Sequence, residues 1–306
     1  MKWSKTISIC AVLLVVLTAV TGCQSANVDS SQDAGTIQLT GSAIASSHSA
    51  VNVDGATATI SAAGTYTLTG TLDDGQIRIN APSGTVTLVL DNANITCFTG
   101  APIYAEKADK VVITLPEGTD STITDGMEYV LAGTETEPDA ALFSREDLVI
   151  NGQGALTVNA NYNDGIASRD TLLIESGTIT VTAKNHGIKG KDYLMVNDGA
   201  ITVASSGDGI KATNDSEAAM GYVEINGGNL IITAQDEGIS AITRVTINGG
   251  EISIETANNG IKSDDTIDIK AGTVTIITED KGLVCTTQTG SAAASVTVNG
   301  IEVLLP

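Results

Sequence analysis

One dipeptide, glycine followed by isoleucine or leucine, recurs through the second half of the chain and restricts its fold more than any other feature. It falls at Gly165-Ile166, Gly187-Ile188, Gly209-Ile210, Gly238-Ile239, Gly260-Ile261 and Gly282-Leu283. The spacings are 22, 22, 29, 22 and 22 residues, and the odd interval holds a seven-residue insertion around residues 214–221. A second glycine stands twelve residues after the first at Gly177, Gly199, Gly250 and Gly272, with Gly228 in phase once the insertion is removed. Apolar residues keep the same phase. One column reads Leu172, Leu194, Val223, Val245, Ile267 and another Ile179, Ile201, Leu230, Ile252, Val274. A sustained period of this length marks a solenoid with one supersecondary unit per repeat.

Within each unit apolar residues alternate with Thr, Ser and Glu, as in Ile179-Thr180-Val181, which is the period of a strand. No unit has the ten or more residues of helical period that a leucine-rich or ankyrin repeat needs. Twenty-two residues accommodate three short strands and three turns. The predicted fold is therefore all-β, a parallel β-helix with 22-residue coils stacked about 4.8 Å apart, right-handed by the rule for parallel crossovers. Composition agrees. The chain is 42% hydrophobic with 32 Gly and 3% aromatic residues, so an aliphatic ladder and not an aromatic cluster must form the core. That apolar content also excludes a disordered chain.

Upstream the phase loosens but the pattern persists: residues 143–150 align with residues 167–174. The acidic stretch from Asp125 to Asp139 reads as a long loop. One continuous β-helix is expected over residues 37–306, with roughly a dozen turns.

The amino terminus carries a short basic start with Lys2 and Lys5, an apolar run from Ile7 to Leu17, and Val20-Thr21-Gly22-Cys23. This is the layout of a lipoprotein signal peptide over residues 1–22, with Cys23 as the lipidated first residue of the mature chain. The competing reading is a plain signal peptide with an incidental cysteine. The apolar run is too short for a stable membrane span. Residues 23–36 read as a flexible tether, reaching about 40 Å at most. The expectation is export and lipid anchoring at the cell envelope, with the membrane met only through that anchor. Cys97 and Cys285 then remain, many coils apart, as small buried hydrophobes.

Without the leader the chain has 13 basic against 36 acidic residues, net −23. Such a surface repels nucleic acid and anionic membranes. A β-helix turns equivalent positions into columns. The residue before the repeat glycine reads Asp164, His186, Asp208, Glu237, Asn259, Lys281, and two residues after it come Ala167, Lys189, Lys211, Ser240, Lys262, Val284. Asn-Gly and Asp-Gly are turn formers whose side chains satisfy local backbone groups. A whole column of acids at coil spacing nevertheless repels itself unless lysines or a cation neutralise it. Calcium is the cation this chemistry suits, because it takes six to eight oxygens from carboxylates, amides and carbonyls. The candidate metal ligands are Asp164, Asp208, Asp236, Glu237 and Asn258, with the insertion expected to emerge beside them. With only two histidines and no cysteine cluster, a transition metal is disfavoured. No nucleophile elbow, Cys-His pairing or phosphate loop is present.

Several segments together carry a family resemblance. Ala141-Leu142-Phe143-Ser144-Arg145-Glu146-Asp147-Leu148, Asn163-Asp164-Gly165-Ile166, His186-Gly187-Ile188-Lys189-Gly190-Lys191-Asp192 and Asp208-Gly209-Ile210-Lys211-Ala212 resemble secreted bacterial β-helix proteins that bind cellulose and acidic sugars. So do Gly64-Thr65-Tyr66-Thr67-Leu68-Thr69-Gly70 and Ala108-Asp109-Lys110-Val111-Val112-Ile113. The resemblance covers nearly all of the chain after the tether. It implies a right-handed β-helix similar to calcium-dependent pectate lyases, bound calcium, and no established lyase activity. The chain departs from the pattern at Glu237-Gly238-Ile239-Ser240 and Lys281-Gly282-Leu283-Val284.

Three functions follow as expectations. The first is a non-catalytic, calcium-assisted lipoprotein binding an acidic sugar polymer or cellulose. Lys189, Lys211 or Lys262 would contact carboxylates, and Tyr162 and Tyr193 are candidates to stack on sugar rings, the competing reading being partly buried tyrosines. The second is a calcium-dependent lyase of uronic-acid polymers with Lys211 or Lys189 as base, a role that neighbouring carboxylates oppose by raising a lysine pKa. The third is a structural stalk or adhesin.

Overall fold

The structure, a computed structural model, describes residues 34–306. The signal peptide, Cys23 and the tether as far as residue 33 lie outside the described residues. Strand is the only regular structure among the described residues. Each coil contributes three strands. One coil runs Asp164–Ser168, Thr171–Ile174, Thr178–Ala183, and the next opens with Ile188–Gly190. Each strand pairs in parallel with its equivalent one coil on, so the chain is a parallel β-helix with three faces.

The first face is an 11-stranded sheet, and the second and third belong to a 21-stranded one. Those two faces are one sheet because the 13-residue strand Thr85–Cys97 pairs with both Lys110–Leu115 and Asp120–Asp125. The predicted columns are the observed registers. Ile166, Ile188, Ile210, Ile239 and Ile261 stand in line on the first face, fully buried. Leu172, Leu194, Val223, Val245 and Ile267 do the same on the second. Each such side chain contributes about 1.5–3 kcal/mol by leaving water.

The two glycine columns differ in backbone conformation. A Cβ on Gly209 would stand 2.3 Å from Ile232 Cγ2 and 2.6 Å from the Gly238 carbonyl oxygen, so the first column is a matter of space. The second column adds a conformational cause to a steric one: Gly199 and Gly250 sit at φ of 121° and 98°, where a side chain is strained, and a Cβ there would stand 2.8 and 2.9 Å from the carbonyl oxygens of Gly177 and Gly228.

Both ends carry antiparallel additions. Ile44–Ala45 folds back on Ala34–Gly41, Val51–Asp54 on Thr57–Ile60, and Ile301–Glu302 on Ala294–Val298. Strand Ala34–Gly41 already pairs in parallel with Gly64–Leu72, so strand structure begins before residue 37. These additions and the long loop use residues that a strict 22-residue period would assign to coils, and the first face holds ten parallel strands. Cys97 and Cys285 are unbridged. Cys97 is buried, whereas Cys285 is only partly so.

The loop at residues 126–139 has a packing role that alternation does not reveal. Phe143 points outward from the first face in the column Tyr104, Phe143, Ala167, yet it is fully buried. Ala101, Tyr104, Ala140, Phe143 and Ala167 form a second apolar cluster outside the coil, with Tyr129 of the loop packed against it. The loop is anchored at its start by the buried Asp125, which accepts hydrogen bonds from the Tyr129 hydroxyl at 2.7 Å and the Tyr162 N–H at 3.3 Å.

Candidate functional site

The third turn of each coil delivers the chain to the first face, and the acidic column stands there. Its carboxylates have a local duty. Asp164 Oδ1 accepts the His186 N–H at 3.1 Å and the Asn185 amide at 3.0 Å, and Asp208 Oδ1 accepts the Glu237 N–H at 3.1 Å. Each thus caps the turn of the next coil, as turn chemistry requires. His186 Nδ1 accepts the Asp208 N–H at 3.1 Å, so that nitrogen carries no proton. Burial lowers the His186 pKa, and the ring is neutral at pH 7. Its 3.8 Å approach to Asp208 Oδ2 is therefore not an ion pair.

The other oxygen of each acid meets the lysine line. Lys189 pairs with the fully buried Asp164 and lies 3.4 Å from Asp139 Oδ2. Lys211 Nζ is 2.5 Å from Asp208 Oδ2, and Lys262 Nζ donates to Glu237 Oε1 at 2.9 Å. That bond raises the Lys262 pKa against partial burial, which lowers it. The long loop joins the same edge. Its Glu137 pairs with Arg145 at 3.1 Å and Arg169 at 2.6 Å, and its Asp139 pairs with Arg169 at 3.0 Å. Burial raises the Asp139 pKa against the pull of Lys189 and Arg169.

Of the five candidate metal ligands, Asp208, Asp236 and Glu237 come together, each offering an oxygen within 4.8 Å of the others. That separation suits one cation whose ligands sit about 2.3–2.6 Å away. Asp208 is fully buried, and its Oδ2 receives no hydrogen bond although Lys211 is near. Asn258 adjoins the group by donating its amide to Asp236 Oδ1 at 2.7 Å; a half-turn of that amide would present oxygen instead. Asp164 stands apart, held by Lys189 and the next coil. The donor set is hard oxygen throughout, so these residues fit calcium. Three carboxylates against Lys211 and Lys262 leave one uncompensated negative charge.

The insertion does not join this group. It leaves the first face by the opposite turn, where Asn214 donates to Asp192 Oδ1 at 2.6 Å and its Oδ1 accepts the Ser216 and Glu217 N–H groups. The candidate tyrosines are partly buried. Tyr162 stacks on Tyr129 with centroids 4.1 Å apart, and Tyr193 on Tyr222 at 5.1 Å, so each ring already has one face covered. Sequence reasoning missed the groove of about 500 Å³ between the loop and the first coils, lined by Asp74, Gln76, Arg78, Tyr104, Val130 and Glu135 among others. The signal for it was Leu142-Phe143, adjacent apolar residues that mark a strand covered on both sides.

A parallel β-helix with a charged edge beside one turn is the class that fold and site define. The chain belongs to the family of carbohydrate-binding domain-containing proteins, which matches residues 54–284. A carbohydrate-binding domain-containing protein of Acetivibrio thermocellus is 42% identical over 139 residues, 43% of this chain and 49% of that protein. The chain thus spans about half the length of that curated relative. The solved polysaccharide lyase-like protein from C. thermocellum, a gadolinium derivative, superposes with a TM-score of 0.72 at 33% identity, covering 86% of this chain and 96% of that one.

Proposed function

We propose that the protein is an exported, lipid-anchored lipoprotein, acylated at Cys23, that holds polysaccharide at the cell surface without cleaving it. An acidic sugar polymer is bound along the first face with calcium between ligand and protein. The observation that carries this reading is the convergence of Asp208, Asp236 and Glu237 oxygens within 4.8 Å beside Lys211 and Lys262. A chain of net charge −21 repels a polyuronate, so attraction needs a cation or the lysines.

A lyase needs an unprotonated base. The Lys189 and Lys211 ammoniums are both engaged by carboxylates, Asp164 and Asp208, and the hydrogen bond to Glu237 pushes the Lys262 pKa up, which opposes its use as a base. Incubation with polygalacturonate and with cellulose, with and without a chelator, tests the proposal. Retention on polygalacturonate that the chelator abolishes, without product, is the expected result. Unsaturated product would make the protein a lyase, and no retention on either polymer would leave a stalk or adhesin.

A further inference from the structure

The groove beneath the long loop is separate from the cation edge, and its chemistry differs. At about 500 Å³ it falls within the range of small-ligand sites, about 300–1,000 Å³. Its floor is the outer surface of the first face, where Tyr104 is 5% exposed and the Arg78 and Arg145 guanidiniums stand 5.3 and 5.8 Å from its centroid. One wall is the turn after strand Thr85–Cys97, and the other is the loop, joined to that turn by the Val130 N–H donating to the Thr99 carbonyl at 2.8 Å.

Two kinds of surface meet there. Val130 lines the groove and is 79% exposed, with Leu131 beside it in the lining. Large apolar side chains this open are rare among the described residues. Beside them are hydrogen-bond acceptors. Gln76 donates its amide to the Ala101 carbonyl at 2.8 Å, which leaves its own oxygen available. Asp74 uses Oδ1 on the Phe98 N–H at 3.0 Å, and no cation pairs with Asp74 or Glu135 among the described residues. Apolar faces beside acceptors of hydroxyl protons are what a sugar ring requires: its C–H face packs on an aromatic or aliphatic surface while its hydroxyls donate to carboxylates, a charge-assisted bond.

Charge then selects among sugars. The lining carries Asp74, Glu106, Glu135 and Glu137 against Arg78, whose guanidinium is already held by Glu106 at 2.8 Å. A uronate entering would meet acids with no free cation. We propose that this groove is a second saccharide subsite, for an uncharged sugar chain, that needs no metal. It rests on the family's carbohydrate binding but not on the calcium edge.

The test is calorimetric titration of the full-length protein in a chelator with a β-1,4-linked glucose hexamer, and separately with a galacturonate hexamer. The expected result is binding of the glucose hexamer in the absence of metal. Val130→Ala and the pair Asp74→Asn with Glu135→Gln should each weaken it tenfold or more. Both changes are on exposed side chains, and Asn keeps an acceptor for the Phe98 N–H, so an unchanged unfolding midpoint serves as the folding control. Excess galacturonate hexamer should not displace the neutral one. No binding in the chelator, a loss under tenfold in both variants, or displacement by the uronate would overturn the proposal. Calcium-restored binding of galacturonate reports on the other edge, so the two readings fail independently.

Discussion

Gly209→Ala tests the reason for the repeat itself. The added methyl would lie 2.3 Å from Ile232 Cγ2 and 2.6 Å from the Gly238 oxygen, and the φ of Gly209 is not in the left-handed region, so the whole cost is steric. Overpacking a closed core costs about 1–3 kcal/mol. The Gly238 carbonyl also accepts the Ile210 N–H at 3.0 Å, and pushing the coils apart weakens a bond worth about 1 kcal/mol. The expected loss is on the order of 3 kcal/mol. In urea, with a slope near the upper end of about 1–3 kcal/mol/M, the midpoint falls by about 1 M. The decisive measurement is a double-mutant cycle with Ile232→Ala. Removing Cγ2 relieves one of the two contacts, so the pair should be less destabilising than the sum by at least about 1 kcal/mol. A Gly209→Ala variant within about 0.5 kcal/mol of the parent, the usual range of a neutral surface change, would refute the steric account. Strict additivity with Ile232→Ala would refute the role of the side chain.

Lys189→Met should cost about 3–5 kcal/mol, because it strands the fully buried Asp164 carboxylate, and adding Asp164→Asn should recover much of the loss; denaturant unfolding of the three proteins measures both. Phe143→Ala should lose about 3–5 kcal/mol of packing and free the loop, read as faster proteolytic nicking within residues 126–139 while the coil strands stay protected. Burial, then the neighbouring Asp147 and Asp192, raise the Asp170 pKa to about 6, so the folded chain binds a proton that the unfolded one releases, and stability falls as pH rises from about 4 to 6. Asp170→Asn should therefore gain about 1 kcal/mol at pH 8, after allowance for solvent screening, and nothing at pH 4; melting curves at the two pH values check the sign.

The coil was legible because its signal is one-dimensional. Gly165, Gly187 and Gly209, and the isoleucines that follow them, repeat at the interval that the stacked coil imposes, and the observed registers match the columns residue for residue. The line of Lys189, Lys211, Ser240 and Lys262 was legible for the same reason. Contacts made by turns were not. Nothing in the period tells that Asn214 reaches Asp192, or that Glu137 and Asp139 fold back to Arg145, Arg169 and Lys189. Those pairings depend on the path of an irregular loop. The stacking of Tyr162 was equally hidden, since its partner, Tyr129, lies in that loop, 33 positions earlier in the sequence.

The two irregular segments enter at opposite margins of one face. The 126–139 loop precedes the first-face strand Ala140–Ser144, and the 214–221 insertion follows the first-face strand Ile210–Ala212. Neither disturbs the aliphatic columns, since parallel pairing resumes in phase after each. A fold of this kind separates two tasks that most domains must solve with the same residues. Stability is stored in a repeating interior that tolerates almost no change, while the banks on either side of the outer face can be lengthened, shortened or recharged without reopening the core. Ligand preference in such a protein can thus diverge through its turns alone, at a rate set by the tolerance of loops and not of packing.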